Sequence, residues 1–231
     1  MKIRDTGPSV SRPVSVFGIR SFPANTGTVL YLCLVNDPAD PILNAFHETG
    51  AYLRGHFRLT SGLHSAEYLQ CALVLQHPKH AEALGRLLAE QVSRAGGAKT
   101  IDIVVAPALG GLIIGHEVAR ALGARFLFTE RDPSGRMTLR RGFHVQPGET
   151  AVVIEDVITT GGSLREVVEL LQTGGVQVVA AGSIIDRSGG AANLGVPRVA
   201  LKVMQVQTYA AENCPLCMQG SPVVKPGSRA V

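Results

Sequence analysis

The chain has 231 residues, 45% hydrophobic and 17% charged, with a formal net charge of +4. This is long enough for a domain with a sizeable core, while the lack of Trp and the 5% aromatic content argue against an aromatic-lined nucleic-acid platform. Arginines spread through the chain suit an anionic substrate such as a phosphorylated sugar; no apolar run reaches the ~20 residues of a membrane span and no signal peptide follows Lys2 and Arg4, so a cytoplasmic protein without nucleic-acid or membrane partners is expected.

Residues 1–40 are rich in Ser, Pro, Thr and Gly without a sustained period and read as a poorly ordered extension, with the apolar run 29–35 as a candidate strand. Order is expected from Pro41. Ile42, Leu43, Phe46, Tyr52 and Leu53 suggest a helix capped by Asp40 and weakened or ended at Gly50. Residues 57–65 read as strand, turn, strand. Residues 78–95 predict a helix with Leu84, Leu87, Leu88 and Val92 on one face, stopped by Gly96 and Gly97. The chain then alternates: strand 101–106, helix 111–122, strands 125–129 and 151–154, helix 162–172, strand 176–185 and a candidate strand at 199–206. Continuous apolar strands separated by helices predict an α/β fold, a central parallel sheet flanked by helices, with ligands beyond the carboxyl ends of the strands. The segment 214–231 turns polar and Pro-rich and is expected to fray.

Four cysteines, Cys33, Cys71, Cys214 and Cys217, are too few for a disulfide scaffold. Cys214 and Cys217 form one CxxC, which supplies two of the four ligands zinc usually takes, and no second pair follows. A structural or incidental role comes first, with a metal or redox role as the alternative.

The chemistry concentrates after the strand at 151–154. Glu155 and Asp156 stand where a buried strand ends, and two adjacent acids there are costly unless a cationic or hydroxyl-rich group meets them. Val157, Ile158, Thr159, Thr160, Gly161, Gly162 and Ser163 then open a helix. They offer backbone N–H groups, three hydroxyls and two glycines at a helix N-terminus, a ready anion site. Acids beside a phosphate cradle suit a ribose 5-phosphate; the plain alternative is a Gly-rich turn capped by one of the acids. Neither GxxxxGK[ST], HExxH nor GxSxG occurs, and no GxGxxG follows a strand.

Residues 152–163 resemble the phosphoribosyl pyrophosphate (PRPP) signature of the type I phosphoribosyltransferases. From about Pro41 to Cys217 the chain is most similar, within that family, to the orotate phosphoribosyltransferases. Residues 55–65 resemble the family's N-terminal hood, which covers the base. The domains expected are then the extension 1–40, a phosphoribosyltransferase domain 41–213 with its hood at about 41–76, and a C-terminal tail 214–231 carrying the CxxC.

The resemblance implies that Glu155 and Asp156 bond the ribose hydroxyls, that Val157 to Ser163 hold PRPP, and that Thr159 and Arg187 meet orotate, the arginine fork suiting paired oxygens. Residues 106–111 resemble the pyrophosphate loop, making Ala108, Leu109, Gly110 and Gly111 PRPP-binding; Gly110 stands where many orotate enzymes carry a lysine. Residues 129–141 correspond to the family's mobile loop, where Arg131 is the candidate catalytic residue beside Glu155 and Asp156. The loop's usual lysine and histidine are unmatched, and Arg136, Arg140 and Arg141 are the candidate substitutes. In the hood Thr60 replaces a lysine and Leu63 an arginine, and His64 is a candidate to approach the substrate. The resemblance further implies transfer of ribose 5-phosphate from PRPP to orotate, Mg²⁺ held mainly through PRPP without direct protein ligands, and a homodimer. A phosphoribosyltransferase for another, purine base and a non-catalytic PRPP-binding regulator stand as alternatives.

Overall fold

The computed structural model describes residues 40–59, 61–97 and 100–226. The extension before Asp40, its candidate strand and Thr60 lie outside them.

Helix α1 (Pro41–Glu48) begins where Asp40 accepts from the N–H groups of Ile42 and Leu43. The Lys202 ammonium bonds the other oxygen of Asp40 at 2.8 Å, tying the helix start to the far edge of the sheet. The helix ends before a left-handed Gly50 (φ 64°), and Tyr52 and Leu53 belong instead to strand β1 (Tyr52–Arg58). There they pair antiparallel with Leu69 and Tyr68 of β2 (His64–Leu69), so cross-strand bonding overrides the apolar spacing that suggested a longer helix. A short helix α2 (Cys71–Leu75) leads to α3 (Pro78–Gly96), which buries Leu84, Leu88 and Val92 but leaves Leu87, predicted on the same face, exposed at the edge of the stripe.

The remaining elements are β3 (Ile103–Pro107), α4 (Gly111–Leu122), β4 (Arg125–Arg131), β5 (Met137–Leu139), β6 (Thr150–Ile158), α5 (Gly162–Thr173), β7 (Gln177–Asp186), β8 (Arg198–Val203), β9 (Thr208–Tyr209) and α6 (Pro215–Met218). Strands β5-β4-β3-β6-β7-β8 form one sheet, parallel except for β5. Successive residues of its central strands enter opposite cores. Val104, Val152 and Ile154 pack with α3 and α4 residues such as Leu88 and Ile114, while Ile103, Val105 and Val153 pack with Leu164, Val167 and Leu171 of α5. This is the central, helix-flanked sheet expected from the sequence, with an antiparallel edge added.

Three segments differ from expectation. The sixth strand runs to Ile158, so the acidic pair lies within it, paired toward β7 through Glu155–Ser183, Val157–Ile185 and Ile158–Asp186. The mobile-loop counterpart is a β4–β5 hairpin, its turn set by Asp132, whose carboxylate accepts from the N–H groups of Ser134 and Arg136. The described part of the C-terminal segment does not fray. Cys214 is buried, and Val224 bridges to Phe57 with backbone bonds to Arg58 and His56. Among the described residues, no helix is long and apolar enough to cross a membrane.

Candidate active site

The strand order reverses direction between β3 and β6: β4 follows β3 outward to one side, while β7 and β8 follow β6 to the other. Ligands of open α/β sheets bind at such a switch point, beyond the carboxyl ends. Two loops meet there. The 108–111 turn leads from β3 into α4, with a cis peptide between Ala108 and Leu109, and the 159–161 turn leads from β6 into α5. They touch closely. A Cβ at Gly110 would stand 2.6 Å from Oδ1 of Asp156, and one at Gly111 would stand 2.9 Å from the Ile154 carbonyl oxygen. A side chain at position 110 would press on the Asp156 carboxylate, which accepts from the Val157 N–H at 2.9 Å; this is a steric reason for glycine there.

Gly161 precedes α5 at φ 78°, with the Leu194 side chain 2.7 Å from any added Cβ, so only glycine makes this turn. Thr159 and Thr160 are exposed beside it, and Gly162 and Ser163 supply the first N–H groups of α5. On the other flank, the N–H of Arg187 donates to the Ile158 carbonyl at 2.8 Å, which anchors the β7 loop to the end of β6.

A cleft of about 620 Å³ joins these parts, lined by Asp156, Val157, Thr159, Thr160 and Arg187 from the sheet and by hood residues including Leu63 and Tyr68. Of the candidate residues, Asp156, Val157, Thr159, Thr160 and Arg187 share one space, whereas Glu155, Gly161, Gly162, Ser163 and the 108–111 turn do not line it. Tyr68 and Cys71 carried no sequence signal; strand pairing in the hood brings Tyr68 there, the start of α2 brings Cys71, and both interact electrostatically with Asp156 and Arg187. Arg131 stands outside the cleft. Its guanidinium pairs with Glu166 of α5 at 3.0 and 3.1 Å and also donates to the Gly135 carbonyl. Arg141 is held by two 2.8 Å bonds to Glu130, Arg136 by Ser134 and Asp132, and Arg140 is exposed. His64 faces away from the cleft, its Nδ1 lying 2.8 Å from His56 Nε2.

The electrostatics suit a ligand that brings positive charge or hydroxyl donors. Burial, then the neighbouring Asp156 charge, pushes the Glu155 carboxyl up to about 8, with Arg131 opposing. Burial also raises Asp156, against the Val157 N–H. Burial lowers Arg187, whose Nε is buried with no hydrogen-bond partner among the described residues. Such a donor awaits an acceptor.

Glu155 gives a pH-dependent stability. Its carboxyl holds a proton up to about pH 8 when folded but only to about 4.5 when unfolded. The folded state binds the extra proton in between, so the stabilising contribution is complete below pH 4.5 and is lost as pH rises through 8. Glu155→Gln removes the dependence. We expect its Tm to exceed wild type by at least about 2–4 °C at pH 9, the shift that one kcal/mol produces in a domain of this size, and the difference to shrink toward pH 4.5. Thermal unfolding across that range tests this; a wild-type Tm at pH 9 overturns it.

A phosphoribosyl transferase domain model matches residues 73–194. The orotate phosphoribosyltransferase of Pelotomaculum thermopropionicum is 56% identical over 192 residues, covering 83% of this chain and 98% of that protein. That of Desulforamulus reducens is 53% identical over the same coverage. Among solved structures, the orotate phosphoribosyltransferase of Aeropyrum pernix superposes with a TM-score of 0.60 at 25% identity, covering 71% of this chain and 94% of that one. A Trypanosoma brucei adenine phosphoribosyltransferase shares the fold, with a TM-score of 0.55 at 19% identity over 82% of this chain and 91% of its own.

Proposed function

Because the chain belongs to the phosphoribosyltransferase family, and within it to the orotate phosphoribosyltransferases, we infer that it transfers ribose 5-phosphate from PRPP to N1 of orotate, giving orotidine 5′-phosphate and pyrophosphate for pyrimidine nucleotide synthesis. The observation that carries the reading is structural: Arg187, whose Nε is buried without a hydrogen-bond partner, shares one cleft with Asp156 and the Thr159–Thr160 turn.

In the transfer the bond from ribose C1 to pyrophosphate breaks, the bond to N1 of orotate forms, and N1 gives up its proton to solvent or to the departing pyrophosphate. Positive charge develops on the ribose and negative charge on the leaving group, so catalysis rests on positioning and electrostatics rather than on a nucleophile. Asp156 accepts from a ribose hydroxyl and places negative charge beside the electron-poor ring, and Glu155, which keeps its proton in the free protein, takes up the same role once the ligand's cation and hydroxyls draw that proton off to solvent. Backbone N–H groups and hydroxyls from Thr159 to Ser163 hold the 5′-phosphate at the start of α5. The turn from Ala108 to Gly111 presents N–H groups at the start of α4 to the pyrophosphate. The Arg187 fork meets orotate oxygens, with Thr159 beside it. Arg131 already acts electrostatically on Glu155, and it reaches the pyrophosphate by exchanging Glu166 for the ligand.

Neither carboxylate of the pair has an ion-pair partner among the described residues, and their hard oxygens fit a site for Mg²⁺ beside the ribose hydroxyls. When bound, mainly through PRPP, Mg²⁺ supplies charge neutralisation for the leaving pyrophosphate. A homodimer acting in the cytoplasm completes the proposal.

Steady-state pyrophosphate release with PRPP and Mg²⁺, measured with orotate, adenine, xanthine and uracil in turn, tests the reading. We expect turnover with orotate alone. Turnover with a purine and none with orotate reassigns the base, and PRPP binding without release for any base reassigns the chain as a regulator.

A further inference from the structure

Away from the cleft, four side chains from distant parts of the sequence point at one another: His56 on β1, His64 on β2, and Cys214 and Cys217 at the start of α6. One ligand atom from each lies within 4.8 Å of all the others. We propose that His56 Nε2, His64 Nδ1, Cys214 Sγ and Cys217 Sγ form a tetrahedral Zn²⁺ site that fastens the C-terminal segment to the hood.

The distances fit. Zinc bound at about 2.0–2.1 Å to nitrogen and about 2.3 Å to sulfur requires N···S edges of about 3.5 Å. The separations are 3.5 Å for Cys214–His56, 3.6 Å for Cys217–His56 and 3.3 Å for Cys217–His64. The two ring nitrogens are 2.8 Å apart and need to open by only about 0.5 Å to span the N···N edge of a zinc tetrahedron. Two thiolates and two imidazoles complete a donor set characteristic of structural zinc.

The surrounding backbone is arranged for the same end. Between Arg54–Glu67 and Phe57–Ser65 the register slips, with one more residue on β1 than on β2. This bulge interrupts the alternation, so that His56 and Phe57 are both buried. His56 Nδ1 lies 2.8 Å from the Ser221 carbonyl oxygen, which can only accept. Nδ1 therefore carries the proton and Nε2 presents its lone pair to the cluster, as in a metal-bound histidine whose other ring nitrogen is fixed by an acceptor. Cys214 and Cys217, three residues apart over the first turn of α6, put both sulfurs on one side. On binding, both cysteines release their thiol protons to solvent and the ion takes two thiolates, with no change of oxidation state.

The site is separate from the PRPP cleft and shares no residue with it. Its role is mechanical. The hood strands that supply both histidines also carry Leu63 and Tyr68 toward the cleft, so the ion holds the base cover against the chain's last described segment.

Zinc content is measured by elemental analysis after reconstitution with ZnCl₂ and desalting, in wild type, Cys217→Ser and the double variant His56→Gln/His64→Gln. About one tightly held zinc per chain is expected for wild type and almost none for either variant. Because a ligand variant can simply misfold, Co²⁺ is also titrated into intact metal-free wild type. Intense visible d–d bands and a near-ultraviolet thiolate charge-transfer band are expected, with displacement by Zn²⁺. Sub-stoichiometric zinc and no tetrahedral Co²⁺ spectrum in wild type overturn the proposal. So does zinc retained undiminished in a folded Cys217→Ser variant, or a thiol titration showing Cys214 and Cys217 joined as a disulfide in the freshly isolated protein.

Discussion

Asp156→Asn is expected to lower kcat/KM for PRPP by on the order of 10²–10³, the loss typical of removing one preorganised electrostatic group from an active site. Asparagine keeps an oxygen for the Val157 N–H that Asp156 Oδ1 accepts at 2.9 Å, so the strand end and the adjoining Gly110 contact survive. It removes the negative charge beside the ribose and replaces one acceptor with a donor, which cannot receive a hydroxyl proton. Burial already raises the Asp156 carboxyl, so neutralising it relieves a cost of folding, and the variant should unfold at or above the wild-type temperature. The informative result is that combination: undiminished stability with lost turnover. Steady-state kinetics at saturating orotate, paired with thermal unfolding, separates the two. Near-wild-type turnover removes Asp156 from the ribose site.

Arg187→Ala is expected to raise the KM for orotate by about 10²-fold, because leaving a desolvated carboxylate without its cation costs about 2–5 kcal/mol. The KM for PRPP should change little, since the phosphate turns are built on Gly161 and Gly110 and need no Arg187 side chain. The loop keeps its place because its anchor is the backbone bond from Arg187 to Ile158. Arg187→Lys restores the charge but not the two-pronged geometry, and only a minor part of the loss should return. Removing a guanidinium whose Nε is buried and unpartnered should not destabilise the apo protein. An unchanged orotate KM in Arg187→Ala assigns the base contact elsewhere on the cleft wall, with Tyr68 the nearest alternative.

The local structure of the candidate site was legible wherever a single stretch carried it. Glu155 through Ser163 reads as acids followed by a phosphate turn because the strand end, the glycines and the helix start are consecutive. The loop from Ala108 to Gly111 and helix α4 were legible for the same reason, and α4 begins and ends where its glycines predict. Arg131 illustrates the limit. Its position in the loop was readable, but its bonds to Glu166 join residues 35 apart in the chain, across a hairpin with no local signature. Tyr52 and Leu53 show the same effect in the fold: their spacing satisfied a helix, and pairing with Tyr68 and Leu69 placed them in a strand.

The sequence by itself determined the α/β layering and the glycine turns that lead into α4 and α5, since each depends on hydrogen bonds and side-chain periods within a few residues. Only the tertiary structure decided how far β6 extends, which hood residues enter the cleft, and that a lone CxxC meets His56 and His64 from more than 150 residues earlier. Those outcomes depend on strand register and on a bulge that buries one histidine beside another. Register is set by the summed burial of whole faces and by pairing between remote strands, which no short window of sequence contains.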